Sequence, residues 1–129
     1  MNTRYKVALA VLTGAGLGAA AIQGLHAQAK STAYVVVAVR SIRDADGFKK
    51  GVVDKASPAA LAAAGGHYVV RTQAIRSLDG TKPERFVLIA FDSTEKALAW
   101  HDSEAQREIE AARIKTTDSL SFLVEGTAN

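Results

Sequence analysis

From residue 30 onward the apolar positions change their period several times, and each change marks an element. Residues 33–40 read A-Y-V-V-V-A-V-R, a continuous β-branched run that predicts a strand buried on both faces. Behind Asp44, a good N-cap, Phe48, Val52 and Val53 form an apolar stripe at nearly helical spacing. Ser57-Pro58 then pairs an N-cap residue with a proline at the first helical position. The alanine-rich turn at 59–64 stops at Gly65-Gly66, so the first helix is either kinked at Pro58 or split in two.

Residues 67–78 predict a second strand by alternation, with Tyr68, Val70 and Thr72 on one face and His67, Val69 and Arg71 on the other. Asp79-Gly80 and Lys82-Pro83 make a turn, and 85–91 is a third, largely apolar strand, hence an antiparallel hairpin. Asp92-Ser93 caps a helix that turns Ala97, Leu98 and Trp100 inward. Ser103-x-x-Gln106 is a capping-box pattern that starts another helix through Arg113, and 120–125 is the last strand. The order is β-α-β-β-α-β with the second helix broken. That predicts an α+β, ferredoxin-like fold, an antiparallel sheet with helices on one face. All four strands carry large apolar residues on both sides, so the bare face needs a cover, and a second copy of the chain is the simplest one.

The first 29 residues follow a different rule. Arg4 and Lys6 precede an uncharged Ala/Val/Leu/Gly run at 7–22, and the segment ends Ala27-Gln28-Ala29. A basic start, an apolar middle and a small-x-small ending predict a secretory signal peptide cleaved near Ala29. The alternative is a retained anchor, but the run is short of the roughly 20 residues a membrane span needs, and Gly14, Gly16 and Gly18 weaken it as a helix. The expected organisation is a signal peptide at 1–29 and a single domain at 30–129, located in the periplasm or secreted, with no stable membrane insertion after cleavage.

Cleavage changes the charge. The whole chain has 16 Lys+Arg against 13 Asp+Glu, for +3; two of the bases and none of the acids lie in 1–29, leaving 14 against 13, or +1. The remaining bases are spread among acids rather than gathered into a patch, which argues against nucleic-acid binding. There is no cysteine, hence no disulfide, and a domain of this size is only modestly stable alone. Beyond residue 29 only His67 and His101 remain, 34 positions apart with no cysteine ligands, so no metal and no other cofactor is expected.

Several stretches resemble one family. A-Y-V-V-V at 33–37, G-G-H-Y-V-V-R at 65–71, R-F-V-L-I-A-F at 85–91, A-x-A-W-x-D-S at 97–103, Arg113 and F-L-V-E-G at 122–126 are together similar to family 1330 among the domains of unknown function. The resemblance covers about residues 33–126. It implies a branch of the dimeric α/β-barrel superfamily, in which two ferredoxin-like subunits pair so that their sheets form a barrel. The chain differs from the family pattern in carrying Thr72-Gln73 after Arg71, His101 after Trp100, and Glu104-Ala105-Gln106 after Ser103.

In such a barrel, His67 and Arg71 on one strand face would line the interior, with the arginine fork offered to an anion; the plainer alternative is solvent exposure or an ion pair at the subunit interface. Tyr34 and Tyr68 would add hydroxyls to the same cavity or pack as ordinary aromatics. Trp100 reads as a core or interface anchor. His101-Asp102 is no acid–base pair on this reading, because helix neighbours diverge and no nucleophile is evident; Asp102-Ser103 is a cap. The candidate ligand residues are thus Tyr34, His67, Arg71, Trp100 and His101. The leading expectation is an exported homodimer binding a small apolar or weakly acidic molecule in the barrel interior. The alternative is a cofactor-free enzyme, monooxygenase- or isomerase-like, acting on an activated aromatic or lactone substrate with His67 or Tyr34 as base.

Overall fold

The computed structural model describes residues 31–127. The expected signal segment at 1–29 and its cleavage point lie outside the described residues. Among the described residues no helix is long and apolar enough to cross a membrane.

Strand β1 (Ala33–Ile42) leads into a helical arm made of α1 (Ala45–Phe48), a π-helical turn (Lys49–Val53) and, after a break, α2 (Pro58–Ala63). The hairpin β2 (Gly66–Thr72) and β3 (Arg85–Phe91) follows. A second arm, α3 (Thr94–His101) and α4 (Glu104–Thr116), returns the chain to β4 (Thr117–Glu125). The sheet order is β2-β3-β1-β4 and every pairing is antiparallel. This is the ferredoxin-like arrangement, with the first helix split at Ser57-Pro58 as the sequence allowed.

Side-chain caps punctuate the helices where the polar residues predict them. Asp44 accepts from the Gly47 N–H (3.0 Å), Ser57 from Ala60 (3.0 Å), Ser93 from Lys96 (3.2 Å) and Ser103 from Gln106 (3.3 Å). Gly65, at φ +89°, ends α2 in a conformation that side chains other than glycine rarely adopt, and its carbonyl accepts from the Asp92 N–H (3.2 Å).

One face of the sheet is core. Ala33, Val35, Ile89 and Phe91 pack with Leu61 from α2 and Ala97 from α3. The β2–β3 register sets Gly66 opposite Phe91, and the phenyl ring lies directly over the glycine. A Cβ at Gly66 would sit 2.7 Å from Phe91 Cε1 and 2.9 Å from two further ring atoms. Gly66→Ala is therefore expected to force that buried ring aside at about 1–3 kcal/mol. A thermal melt checks it, and an unchanged midpoint would contradict the packing.

Several boundaries differ from expectation. Strand β2 ends at Thr72 rather than continuing to residue 78. The Thr72 hydroxyl accepts from the Ala74 N–H (2.9 Å), a turn that diverts the chain out of the sheet. Helix α4 runs three residues past Arg113. Its last carbonyls are taken by side chains: the hydroxyls of Thr116 and Thr117 donate to Ala112 O (2.7 Å) and Arg113 O (2.6 Å), and Arg43 donates to Ile114 O and Lys115 O. Strand β4 consequently begins at Thr117, paired with Ile42.

Candidate functional site

A cavity of about 520 Å³ lies between the sheet and the two helical arms. Its floor is the helix-facing side of the strands: Val37 and Val39 from β1, Val87 and Ile89 from β3, Tyr68 from β2. One wall is Phe48, Val52, Val53, Ala60 and Leu61 of the first arm; the other is Ala99, Trp100, Gln106, Ile109, Glu110 and Arg113 of the second. Exposed Lys55, Ser57, Lys96 and Ala105 also belong to the lining, so the cavity opens to solvent.

The sheet gives this cavity two arginines through an irregularity that alternation does not reveal. In β2, Tyr68 pairs with Ile89 and Val70 with Leu88, so Val69 is an extra, unpaired residue. Past that bulge the parity of the strand inverts. Arg71 pairs with Val87 and so shares the helix-facing side with Tyr68, its guanidinium carbon 4.7 Å from the tyrosine ring centroid. The expectation that His67 and Arg71 share a face is thereby corrected. His67 pairs with Ala90 on the outer face of the sheet, away from the cavity. Arg85 opens β3 two residues from Val87, so it is the diagonal neighbour of Arg71 on the same face. Its guanidinium also approaches the Phe48 ring (5.9 Å). Burial pushes the Arg85 guanidinium below its ordinary pKa, the positive charge of Arg71 acts in the same direction, and Tyr68 opposes them.

Opposite these residues stands a closed polar unit. Arg113, only 6% exposed, donates to both Glu110 oxygens (2.9 and 3.2 Å) and to the Ser119 hydroxyl. Ser119 in turn shares a hydrogen bond with Thr117 (2.8 Å). This pair neutralises itself and ties α4 to β4.

The sequence-predicted residues divide between two faces. Arg71 and Trp100 line the cavity; Trp100 also packs against Phe91, ring centroids 5.2 Å apart. Tyr34, paired with Ala90 and Val124, lies on the outer face with His67, not in the cavity. His101 stands outside the lining, at the end of α3, 3.6 Å from Glu110. It also reaches Asp102 (3.4 Å), contrary to the expectation that these neighbours diverge; Asp102 is already leaving the helix at ψ −4°, and the contact is solvent-exposed. Gln106, in one of the stretches that depart from the family pattern, lines the cavity. Arg85 was missed by the sequence reading. Its signal was a charge at the same parity as Val87, Ile89 and Phe91 in an otherwise apolar strand.

Residues 32–127 match the family described as Domain of unknown function (DUF1330). The chain belongs to this family. Among solved structures, a protein of unknown function from Rhodopseudomonas palustris is similar at 15% identity, covering 76% of this chain and 84% of that one, with a TM-score of 0.59. A candidate antibiotic biosynthesis monooxygenase from Caulobacter crescentus CB15 is similar at 18% identity, covering 76% and 92%, with a TM-score of 0.52. At these identities the likeness concerns the fold. No curated protein matches the chain. For DUF1330 the cavity, with its paired arginines, is the feature of this chain from which a function has to be argued. Among the described residues there is no cluster of three or more His, Cys, Asp or Glu suited to a metal ion.

Proposed function

We propose that the protein is an exported homodimer that binds a small, mainly apolar molecule in the cavity between sheet and helices, not in the barrel interior. The observation that carries this reading is the cavity itself. Its volume of about 520 Å³ falls within the range of small-molecule sites, and its lining is apolar apart from a few convergent polar groups. Export rests on the sequence pattern of residues 1–29.

Pairing rests on the outer face of the sheet. Phe122 and Val124 are 47% and 45% exposed there, beside Val36 and Leu88, an apolar surface that a second copy would cover by sheet-to-sheet contact. A cofactor-free enzyme working in this cavity would need a base there, whereas the two candidates, Tyr34 and His67, lie on that outer face. Ligand binding is therefore the reading adopted.

Native mass spectrometry of the full chain expressed with export and purified from the periplasm tests each part. The expected species is a dimer of residues 30–129 that takes up 4-phenylbutanol. A single-chain mass would overturn the pairing, and an uncleaved mass would overturn the processing. Ala60→Trp, which puts an indole into the cavity wall, is expected to weaken uptake at least tenfold with the dimer intact. Unchanged uptake would place the ligand elsewhere.

A further inference from the structure

The cavity is electrostatically one-sided. Glu110 is its only acidic lining residue, and Arg113 already neutralises it at 2.9 Å. Lys96 at the rim is paired with Asp92 (3.2 Å). Elsewhere in the fold Arg40 meets Asp118 (3.2 Å) and Arg43 meets two helix carbonyls. Arg71 and Arg85 are different. Among the described residues no carboxylate lies within 4.0 Å of either guanidinium. Two like charges on diagonal positions of one sheet face oppose each other, and Arg85 is partly withdrawn from water as well. The two guanidinium charges thus oppose each other in a way that an anion between them would relieve.

From this placement we infer that Arg71 and Arg85, with Tyr68 beside Arg71, form a clamp for the carboxylate of a monocarboxylic acid whose apolar body lies in the cavity. This rests on the reading of the cavity as a ligand site and names its ligand class. A guanidinium presents parallel N–H donors that match a carboxylate in two-point contact, which a lysine does not reproduce. The aromatic faces of Tyr68 and Phe48 under the two guanidinium groups hold their planes while leaving edge donors free. Beyond the clamp the floor is Val37, Val87 and Ile89, with Trp100 on the far wall, so the remainder of the ligand meets mainly apolar surface. One carboxylate offers an oxygen to each arginine and lowers the charge of the pair from +2 to +1. The only further cations not already neutralised within the lining are the exposed Lys55 and Lys96 at the rim.

The test is a matched pair of probes, 4-phenylbutanoate and 4-phenylbutanol, titrated into the full-length-derived protein by calorimetry. The fluorescence of Trp100, the single tryptophan of the chain, serves as a second readout within the cavity wall. The acid is expected to bind at least tenfold tighter than the alcohol. Arg71→Gln and Arg85→Gln should each reduce that preference, and the double variant should abolish it. Arg71→Lys is expected to recover only part of the preference. Equal binding of acid and alcohol by the unaltered protein overturns the clamp and leaves the cavity as a neutral site. Binding of neither probe overturns the cavity reading and the clamp with it. The comparison on the unaltered protein needs no variant to fold.

Discussion

Glu110→Ala is expected to destabilise the fold by about 3 kcal/mol, because it strands a buried cation. Arg113 keeps only 7% of its side chain in contact with solvent, and Glu110 supplies two of its three side-chain hydrogen bonds. Removing the carboxylate leaves the guanidinium with the Ser119 hydroxyl, too little to compensate a charge held away from water. For a domain of this size the loss corresponds to a drop in melting temperature on the order of 15 °C. The pair is also expected to be strongly non-additive. Glu110→Ala combined with Arg113→Met should cost at least about 1 kcal/mol less than the two single changes summed, since the double variant buries no unpaired charge. Denaturant melts of the four proteins close the cycle, and additive losses would show that the pair is held too close to solvent to matter.

Phe91→Ala is expected to cost about 3–5 kcal/mol, from lost burial plus the void left where the ring does not collapse. Phe91 is 1% exposed, covers Gly66 on one side and meets Trp100 at a 47° tilt on the other. Glycine has no side chain with which to fill the space, so relaxation has to come from Trp100 and the cavity wall. The variant should therefore shift the emission of Trp100 in the folded state as well as lower the midpoint of unfolding. A large stability loss with unchanged emission would mean that the void closes from another direction.

Most of the fold was legible because its signals are local. The caps at Asp44, Ser57, Ser93 and Ser103 are short side chains that reach an amide three residues ahead, a relation contained in the sequence itself. The Ser57-Pro58 break and the Gly65 stop are equally local. The ends of α4 and β2 were not legible, since they depend on which carbonyl or amide a threonine hydroxyl finds in three dimensions. The candidate site divided along the same line. Trp100 was placed by helical spacing and does line the cavity. Arg71 was placed by strict alternation, which fails past the extra residue at Val69. Arg85 was overlooked because its partner in the arrangement, Arg71, had been set on the wrong side of the sheet.

The unpaired residue in β2 has a bearing on how relatives of this chain are compared. Arg71 shares a side with Tyr68, three positions away, because Val69 stands unpaired between them. A relative of the same length whose strand runs regularly through that point would keep the same tyrosine and the same arginine and turn the charge to the outer face of the sheet. An alignment would set the two arginines in one column with no gap to mark the difference. Equivalence at this strand has therefore to be judged by its pairing first and by letter second.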